Sequence, residues 1–359
     1  MNTDQSIEEI IREIEPVDGD WLEKARARTR SLVMPTRALG RLHEIAERIC
    51  AIQRNLTPAI GRKAILIMAG DHGVVSEGVS AYPQSVTVEM IRTFLRGGAG
   101  INVLARQVGA DVAVVDAGII PDLDPDMSGG DKRLQVCKVG RGTANLARGP
   151  AMTRSQAEQC ISVGFLAAEK WITDGVELIG TGDMGIGNTT PSSAIGVVIT
   201  GADLGRMVGL GTGVDAQGIA RKKAAIARGI KINAPDARDG LDVLSKVGGF
   251  EIGAIAGCIL AGAFYRRPVV VDGLISTAGA LIAHTLCPLV AQYMFAAHCS
   301  EEPGHRIMLN HLGLVPMLDL GMRLGEGSGG AVAMGIMEGA VRVMNEMLTF
   351  EEAGVSDKE

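Results

Sequence analysis

Aromatic side chains are scarce in this sequence of 359 residues: Phe, Trp and Tyr together make up 3% of it. Proteins that bind single-stranded nucleic acid stack bases on aromatic rings, and a net charge of −6 gives no basic surface for DNA or RNA. Hydrophobic residues still reach 47%, so the core must consist of aliphatic side chains and Met. With 48 glycines that allow close packing, this composition favours helices on a parallel sheet.

Cysteine pairs, targeting signals and long apolar runs are also missing. The six cysteines have no C-x-x-C spacing and are interpreted as reduced core residues rather than a disulfide frame or a zinc site. The N-terminus is acidic and polar, unlike a secretory signal, and the apolar stretch 252–263 is too short to cross a bilayer. We therefore expect a cytoplasmic protein with no membrane partner.

Short aliphatic runs that each end in glycine and aspartate predict the strands: 64–69, 112–115, 176–179 and 268–271, with 293–297 as a possible fifth. Helical patterns lie between them, over 84–96, 101–108, 153–171, 216–231, 251–265 and 277–286. This alternation predicts an α/β fold with a mostly parallel, Rossmann-like sheet covered by helices on both faces. Ligands of such sheets bind beyond the carboxyl ends of the strands, where this chain places Asp, His and Gly.

The chain divides into three predicted segments. Residues 1–60 are expected to form amphipathic helices, with Ile7, Ile10, Ile11 and Ile14 on one face and Leu39, Leu42, Ile45, Ala46 and Ile49 on another. Residues 61–330 form the α/β catalytic domain, and 331–359 form a C-terminal helix and tail. The acidic stretch 121–133 is interpreted as a solvated connection, because its aspartates lack the spacing of a calcium loop.

Three segments match the dinucleotide fingerprint or its looser form: 180–185, 211–216 and 325–330. Only the first follows a convincing strand, and no strand ending in an acidic residue comes about 20 residues later, as ribose recognition requires. This context disfavours an NAD-dependent oxidoreductase. His72 and His305 lack a helical H-x-x-x-H partner, and no G-x-S-x-G elbow occurs, so neither a metal site nor a covalent nucleophile is expected.

Two glycine-rich stretches that precede helices indicate a possible monophosphate site. They are 185–191 and 209–213, and the helix after the second carries Arg221, Lys222 and Lys223. Free N–H groups at a helix start and a nearby lysine bind phosphate well. The alternative is two ordinary strand-to-helix turns.

One carboxylate, Glu326, lies among four glycines in the stretch 323–330, directly before a long apolar helical run. Glycine lets the backbone approach a ligand closely, and few side chains would hydrate the carboxylate. Such a group acquires a raised pKa and can serve as a general base. The alternative is a surface turn whose glutamate starts a helix.

Several longer blocks together resemble one family, the nicotinate-nucleotide–dimethylbenzimidazole phosphoribosyltransferases. These blocks are AGDHGV at 69–74, GVS at 78–80, GIGNTTP at 185–191, RDGLDVLSKVGGF at 238–250, VDG at 271–273 and RLGEGSG at 323–329. The resemblance implies transfer of 5-phosphoribose from nicotinate mononucleotide to 5,6-dimethylbenzimidazole, which gives α-ribazole 5′-phosphate with inversion. It also implies a homodimer, no cofactor or metal, and a small helical domain beside the large α/β domain.

The resemblance also assigns roles to residues. Glu326 is the expected general base, and Asp272 is a second carboxylate, a ribose ligand or a structural residue. The expected base-binding residues are Ser80, Tyr82, Met90, Asp183, Met184, Gly185 and Leu324. The expected phosphate- and ribose-binding residues are Gly185, Asn188, Thr189, Gly211, Lys222 and Ser300.

Two departures from the family pattern concern recognition of the acceptor. Asp183 stands where glutamate is common, and Glu89 and Met90 stand where a glutamine is common. An enzyme of the same fold that uses adenine, another benzimidazole or a phenol is therefore the first alternative. A non-catalytic nucleotide-binding regulator is the second.

Overall fold

A computed structural model describes residues 6–124, 127, 133–209, 211, 213 and 215–356. Most of the predicted connection 121–133 and part of the glycine-rich stretch 209–213 lie outside these residues. The six strands of the described ranges are β1 (Lys63–Gly70), β2 (Ala110–Gly118), β3 (Leu134–Val136), β4 (Leu178–Met184), β5 (Val269–Val271) and β6 (Met294–Ala296). They form one parallel sheet in the order β3-β2-β1-β4-β5-β6.

The helices of the described ranges are α1 (Ile7–Glu13), α2 (Gly19–Ser31), α3 (Arg41–Gln53), α4 (Val86–Arg96), α5 (Gly100–Gln107), α6 (Arg154–Thr173), α7 (Thr189–Thr200), α8 (Leu204–Met207), α9 (Ala216–Asn233), α10 (Gly240–Val247), α11 (Phe250–Phe264), α12 (Leu274–Leu286), α13 (Pro303–His311), α14 (Ser328–Glu346) and α15 (Phe350–Ala353). Short 3-10 helices span Gly73–Glu77 and Pro288–Gln292. None of the described helices has the length and hydropathy to cross a membrane.

Helices cover both faces of the sheet, as predicted. Helices α6 and α11 pack on each other and on β1 and β2. Helices α4 and α5 contact β2, and α14 contacts β4 and β5. Every residue of β1 and β4 is buried. Strands buried on both faces carry nearly continuous aliphatic sequence, which explains why β1 was recognisable as Ala64–Ala69. The predicted fold class is confirmed.

The fourth strand corrects the sequence prediction. The pattern predicted a strand over 176–179 that stops at Gly180, but β4 begins at Leu178 and continues to Met184. Residues Gly180 to Met184 pair in parallel with residues 65–69 of β1. Glycine normally interrupts a strand, yet in a fully buried strand it lets neighbouring backbone approach closely. The segment 180–185 is therefore mostly strand and not a phosphate-binding turn.

The N-terminal and C-terminal segments contact each other. Helix α3 packs on both α2 and α14, and Asn345 donates a hydrogen bond to the carbonyl oxygen of Pro58 at 3.0 Å. Ile7, Ile10 and Ile14 are buried as predicted, but Leu39 lies in a turn before α3 and is 40% exposed. The division into segments 1–60, 61–330 and 331–359 stays a prediction.

Candidate active site

A cavity of about 240 Å³ opens beside the carboxyl ends of the central strands. Strand order reverses between β1 and β4, and the ligand sites of doubly wound sheets lie at this reversal. Asp183 ends β4 next to Met184, and Asp71 and His72 follow β1. The wall of the cavity includes seven of the predicted binding residues: Tyr82, Asp183, Asn188, Thr189, Gly211, Ser300 and Leu324.

Four of the predicted base-binding residues do not line this cavity. The Ser80 hydroxyl accepts a hydrogen bond from the Tyr82 N–H at 3.2 Å and therefore helps to fix the backbone at Tyr82. Met90 lies half-buried on α4, Met184 is buried at the end of β4, and Gly185 follows it. Their roles in base binding stay predictions.

Gly185 lies next to a buried pair of ionisable side chains, His72 and Glu251. The Nε2 atom of His72 is 2.9 Å from Oε1 of Glu251, and neither side chain reaches solvent. Burial opposes the charged imidazole, but the Glu251 carboxylate outweighs it and raises the pKa of His72. A Cβ atom on Gly185 would lie 3.3 Å from His72 Nε2. The pair thus supports the turn after β4.

Glu326 occupies a strained backbone position at the start of α14. Its φ angle is +64°, between Gly325 at +83° and Gly327 at +89°, which are conformations that glycine adopts freely. A non-glycine residue held in this region is strained, and such strain concentrates at functional sites. The left-handed run turns the Glu326 side chain toward the first turn of α5, where Oε2 accepts the Ile101 N–H at 3.3 Å.

Burial raises the pKa of Glu326, and the single bond from Ile101 only partly opposes this. The residue is 7% exposed. A carboxylate in this environment holds a proton more tightly than one in water does. It is therefore a stronger proton acceptor than a solvated carboxylate.

Asp272 follows β5 and supports the same loop from behind. Its Oδ2 accepts the Gly327 N–H at 3.1 Å, and its Oδ1 accepts the Gly330 N–H at 2.9 Å. These are unsatisfied donors of the first turn of α14, so Asp272 acts as a cap from a distant part of the chain. Burial raises the pKa of Asp272 to about 7, although the backbone donors oppose the shift. Because both oxygens are engaged, the geometry favours the structural role among the three predicted ones.

Asp183 contributes a third buried carboxyl group. Burial and the nearby Asp272 carboxyl raise its pKa well above the ordinary value, while a hydrogen bond from Asn188 at 2.9 Å to Oδ2 opposes this. Its Oδ1 has no hydrogen-bond partner among the described residues. A Cβ atom on Gly325 would lie 3.4 Å from this oxygen, which places Asp183 directly under the Glu326 loop. A protonated Asp183 could donate a hydrogen bond into the cavity.

A buried cation lies behind the cavity wall at Thr189 and Gly211. Lys222 on α9 is 1% exposed, and its Nζ donates to the Thr189 hydroxyl at 2.9 Å. Burial lowers the pKa of Lys222, and Glu302 partly restores it. A Cβ atom on Gly211 would lie 2.7 Å from Lys222 Nζ. Lys222, Thr189 and Gly211 therefore meet at one point, as the predicted phosphate site requires.

Two buried histidines, His298 and His305, lie close to Ser300 in or behind the cavity wall. The Ser300 N–H donates to Nδ1 of His305 at 2.9 Å, and Nε2 of His305 lies 2.8 Å from the Thr277 hydroxyl. Burial lowers the pKa of His305 to about 3, so the ring stays neutral. His298 is also buried, and its Nδ1 lies 3.7 Å from Asp272. Within the described ranges, no group of three or more His, Cys, Asp or Glu side chains could hold a metal ion.

Sequence reasoning missed three polar residues of the cavity wall: His298, Glu302 and Arg323. The sequence offered a clue to Arg323, because this residue begins the stretch that contains Glu326. Glu302 had a weaker one, because it precedes a proline that starts a helix and therefore occupies an N-cap position. His298 follows the short strand β6, and only the fold brings it to the cavity.

Known proteins resemble this chain over nearly its whole length. A family model described as phosphoribosyltransferase matches residues 14–355. The chain is 51% identical over 353 residues to the nicotinate-nucleotide–dimethylbenzimidazole phosphoribosyltransferase of Geotalea uraniireducens, covering 98% of this chain and 99% of that protein. It is 52% identical over 350 residues to the enzyme of that name from Desulforamulus reducens, covering 97% and 98% of the two chains.

A solved structure gives the same result. The crystal structure of the nicotinate-nucleotide–dimethylbenzimidazole phosphoribosyltransferase from Thermus thermophilus superposes with a TM-score of 0.89 at 44% identity. The alignment covers 95% of this chain and all of that one. The chain therefore belongs to the nicotinate-nucleotide–dimethylbenzimidazole phosphoribosyltransferase family.

Proposed function

We propose that this enzyme transfers 5-phosphoribose from nicotinate mononucleotide to 5,6-dimethylbenzimidazole and releases nicotinate. The observation that carries the proposal is one cavity with two buried groups directly behind its wall: a base candidate, Glu326, next to the lining residue Gly325, and a cation, Lys222, bonded to the lining residue Thr189. Relatives at about half identity over nearly their full length bear the name of this reaction. The product expected is α-ribazole 5′-phosphate, with inversion at the anomeric carbon.

The reaction needs one base and no acid. The leaving nicotinate departs from the ribose as a neutral pyridine nitrogen, so no group must protonate it. The attacking imidazole loses its N–H proton, which Glu326 accepts because its pKa is raised by burial. Holding both substrates in one cavity supplies much of the remaining rate acceleration.

The phosphate group of the donor has proposed contacts with three residues and three neighbours. The phosphate lies against Gly211, Thr189 and Lys222, with Asn188, Gly185 and Ser300 nearby. Asp272 keeps the Glu326 loop in place through the Gly327 and Gly330 N–H groups and does not touch the substrate.

The acceptor base lies at the end of the cavity that carries Glu326. Its flat ring rests between Tyr82 and Leu324, which both line the cavity and are more than half exposed without a ligand. Asp183 lines the same part of the cavity and lies beside the ring. Ser80, Met90 and Met184 complete the surroundings of the ring.

The direct test of the reaction is a turnover assay with nicotinate mononucleotide. Nicotinate release should depend on 5,6-dimethylbenzimidazole and yield one riboside phosphate of inverted configuration. Release with adenine or a phenol, but not with the benzimidazole, would keep the mechanism and replace the acceptor. No release with any acceptor would leave a nucleotide-binding regulator as the better account.

We further propose that the protein works in the cytoplasm as a homodimer. Exposed apolar side chains in the connection between α13 and α14 support the assembly, since Val315 is 63% and Leu320 is 62% exposed. Light scattering of the purified chain at micromolar concentration would give twice the monomer mass. A monomer mass at all concentrations would contradict the proposal.

A further inference from the structure

Glu302 adopts an unexpected position for a residue that precedes a helix. It is the N-cap of α13, yet its side chain makes no capping hydrogen bond. N-cap side chains normally accept an N–H of the first helical turn. Here the carboxylate turns the other way, and Oε1 accepts the Gly211 N–H at 2.7 Å. The residue is 7% exposed, and Oε2 has no hydrogen-bond partner among the described residues.

The surroundings of Glu302 are the groups assigned above to the substrate phosphate. Glu302 lines the same cavity as Thr189, Gly211 and Ser300. Lys222 is close enough that Glu302 stabilises its charged form against burial. A carboxylate thus lies among donors that are suited to an anion, and it already occupies one of them.

Two anions cannot share these donors without a large cost. Like charges a few ångströms apart repel strongly in a site that excludes water. Because the oxygen Oε2 gains no compensating hydrogen bond within the described residues, the carboxylate is only partly stabilised where it lies. A phosphate dianion offers three oxygens to the same N–H and ammonium donors and therefore competes well for them.

We propose that Glu302 is a stand-in for the substrate phosphate, which displaces its carboxylate from the Gly211 N–H when the donor substrate binds. In the observed arrangement the carboxylate balances the buried charge of Lys222 and holds Gly211 in place. The displacement reduces the affinity for phosphate-bearing molecules, which favours release of the phosphorylated product. This inference rests on the phosphate site proposed above.

The test compares Glu302→Gln with Glu301→Gln, an adjacent and exposed position that loses the same charge. For each variant and the unaltered enzyme, the KM for nicotinate mononucleotide and the inhibition constant of inorganic phosphate are measured. Removing the competing charge in Glu302→Gln should lower both constants by about fivefold to tenfold, since like-charge repulsion in the site is lost. Glu301→Gln should match the unaltered enzyme.

Other outcomes overturn the inference in distinguishable ways. A higher KM with unchanged phosphate inhibition would make Glu302 an acceptor for ribose hydroxyl groups instead. Unchanged constants would make its position irrelevant to binding. If the unaltered enzyme turns over nicotinate mononucleotide but phosphate never inhibits it, the stand-in role is wrong while the reaction stands. If neither molecule binds, the proposed phosphate site fails first.

A second measurement uses the unaltered chain and does not depend on a variant that folds. Crystals soaked in inorganic phosphate should show the anion on the Gly211 N–H and on Lys222, with the Glu302 carboxylate moved away. Phosphate bound at these donors while Oε1 of Glu302 stays on Gly211 would contradict the displacement.

Discussion

Burial acts in opposite ways on two groups of residues at and behind the cavity wall, which we call the acidic end and the cationic end. The acidic end, formed by Asp183, Asp272 and Glu326, contains three carboxyl groups whose pKa values burial raises. The cationic end, formed by Thr189, Gly211 and Lys222, contains one ammonium group whose pKa burial lowers. In both places the low dielectric opposes charge. The carboxyl groups of the acidic end therefore hold protons more tightly than solvated ones do, whereas at the cationic end Glu302 partly offsets the effect of burial on Lys222.

This difference assigns separate tasks to the two ends. A carboxyl group with a raised pKa suits proton transfer, and a buried cation beside backbone and hydroxyl groups suits binding of an anion. Variants at the acidic end should thus change turnover, and variants at the cationic end should change substrate affinity.

The largest effect is expected for Glu326→Gln. The amide keeps the size of the side chain but cannot accept the proton, so kcat should fall by about a hundredfold to ten-thousandfold. Steady-state kinetics of nicotinate release would measure it. Glu346→Gln, a change at an exposed position of α14, is the matched control for loss of one negative charge. A kcat within a few-fold of the unaltered value would remove Glu326 from the role of base.

Lys222→Ala should mainly weaken binding of the donor. Loss of a charged hydrogen-bond partner for phosphate should raise the KM for nicotinate mononucleotide by about tenfold to a hundredfold. Because Lys222 also contacts Thr189, thermal melting must confirm that the variant is folded. A pure loss of kcat with unchanged KM would contradict the assignment of the cationic end.

Asp272→Asn should damage the support of the Glu326 loop. The amide has one acceptor oxygen for two N–H donors, so one buried N–H loses its partner, at a cost of about 1–3 kcal/mol of unfolding free energy. Urea denaturation measures that loss. The kcat should fall as well, because Glu326 moves, while donor affinity changes little. Normal stability together with low kcat would instead indicate that Asp272 touches the substrate.

Asp183→Asn should change how stability depends on pH. The folded protein holds the Asp183 proton more tightly than the unfolded chain does, so ionisation of this group destabilises the fold as pH rises above its ordinary pKa. The variant has no such group, so its unfolding free energy relative to the unaltered protein should increase with pH over a range that begins at the ordinary Asp pKa of 3.8. Urea denaturation across this range would detect it. A difference that stays constant with pH would mean that the Asp183 pKa is not raised.

The smallest effect is expected far from the cavity, at the exposed pair of Arg342 and Glu346 on α14. Their side chains are 64% and 58% exposed, and exposed pairs of this kind contribute little to stability. Glu346→Gln should leave both Tm and kcat unchanged within error. A clear loss of either would show that α14 transmits changes to the Glu326 loop at its start.

The sequence predicted much of the fold because buried strands and amphipathic helices repeat local patterns. Strand β1 was predicted from its aliphatic run. The end of β4 was predicted too early, because Gly180 and Gly182 resemble turn residues. Strand β3 was missed because Gln135 interrupts its aliphatic sequence, whereas β5, which is equally short, is a run of three valines. Glu326, Lys222 and Thr189 were named from the chain alone. The turned carboxylate of Glu302 and the cap by Asp272 depend on contacts across more than 50 residues, which no local pattern records.

The most direct measurement of the separation between the two ends is equilibrium binding of nicotinate mononucleotide without an acceptor, by calorimetry. Glu326→Gln should bind the donor as the unaltered enzyme does, although it turns over slowly. Lys222→Ala should bind it about tenfold to a hundredfold more weakly. If Glu326→Gln lost donor binding in proportion to its loss of turnover, the acidic end would be a binding site and the account of catalysis would be wrong.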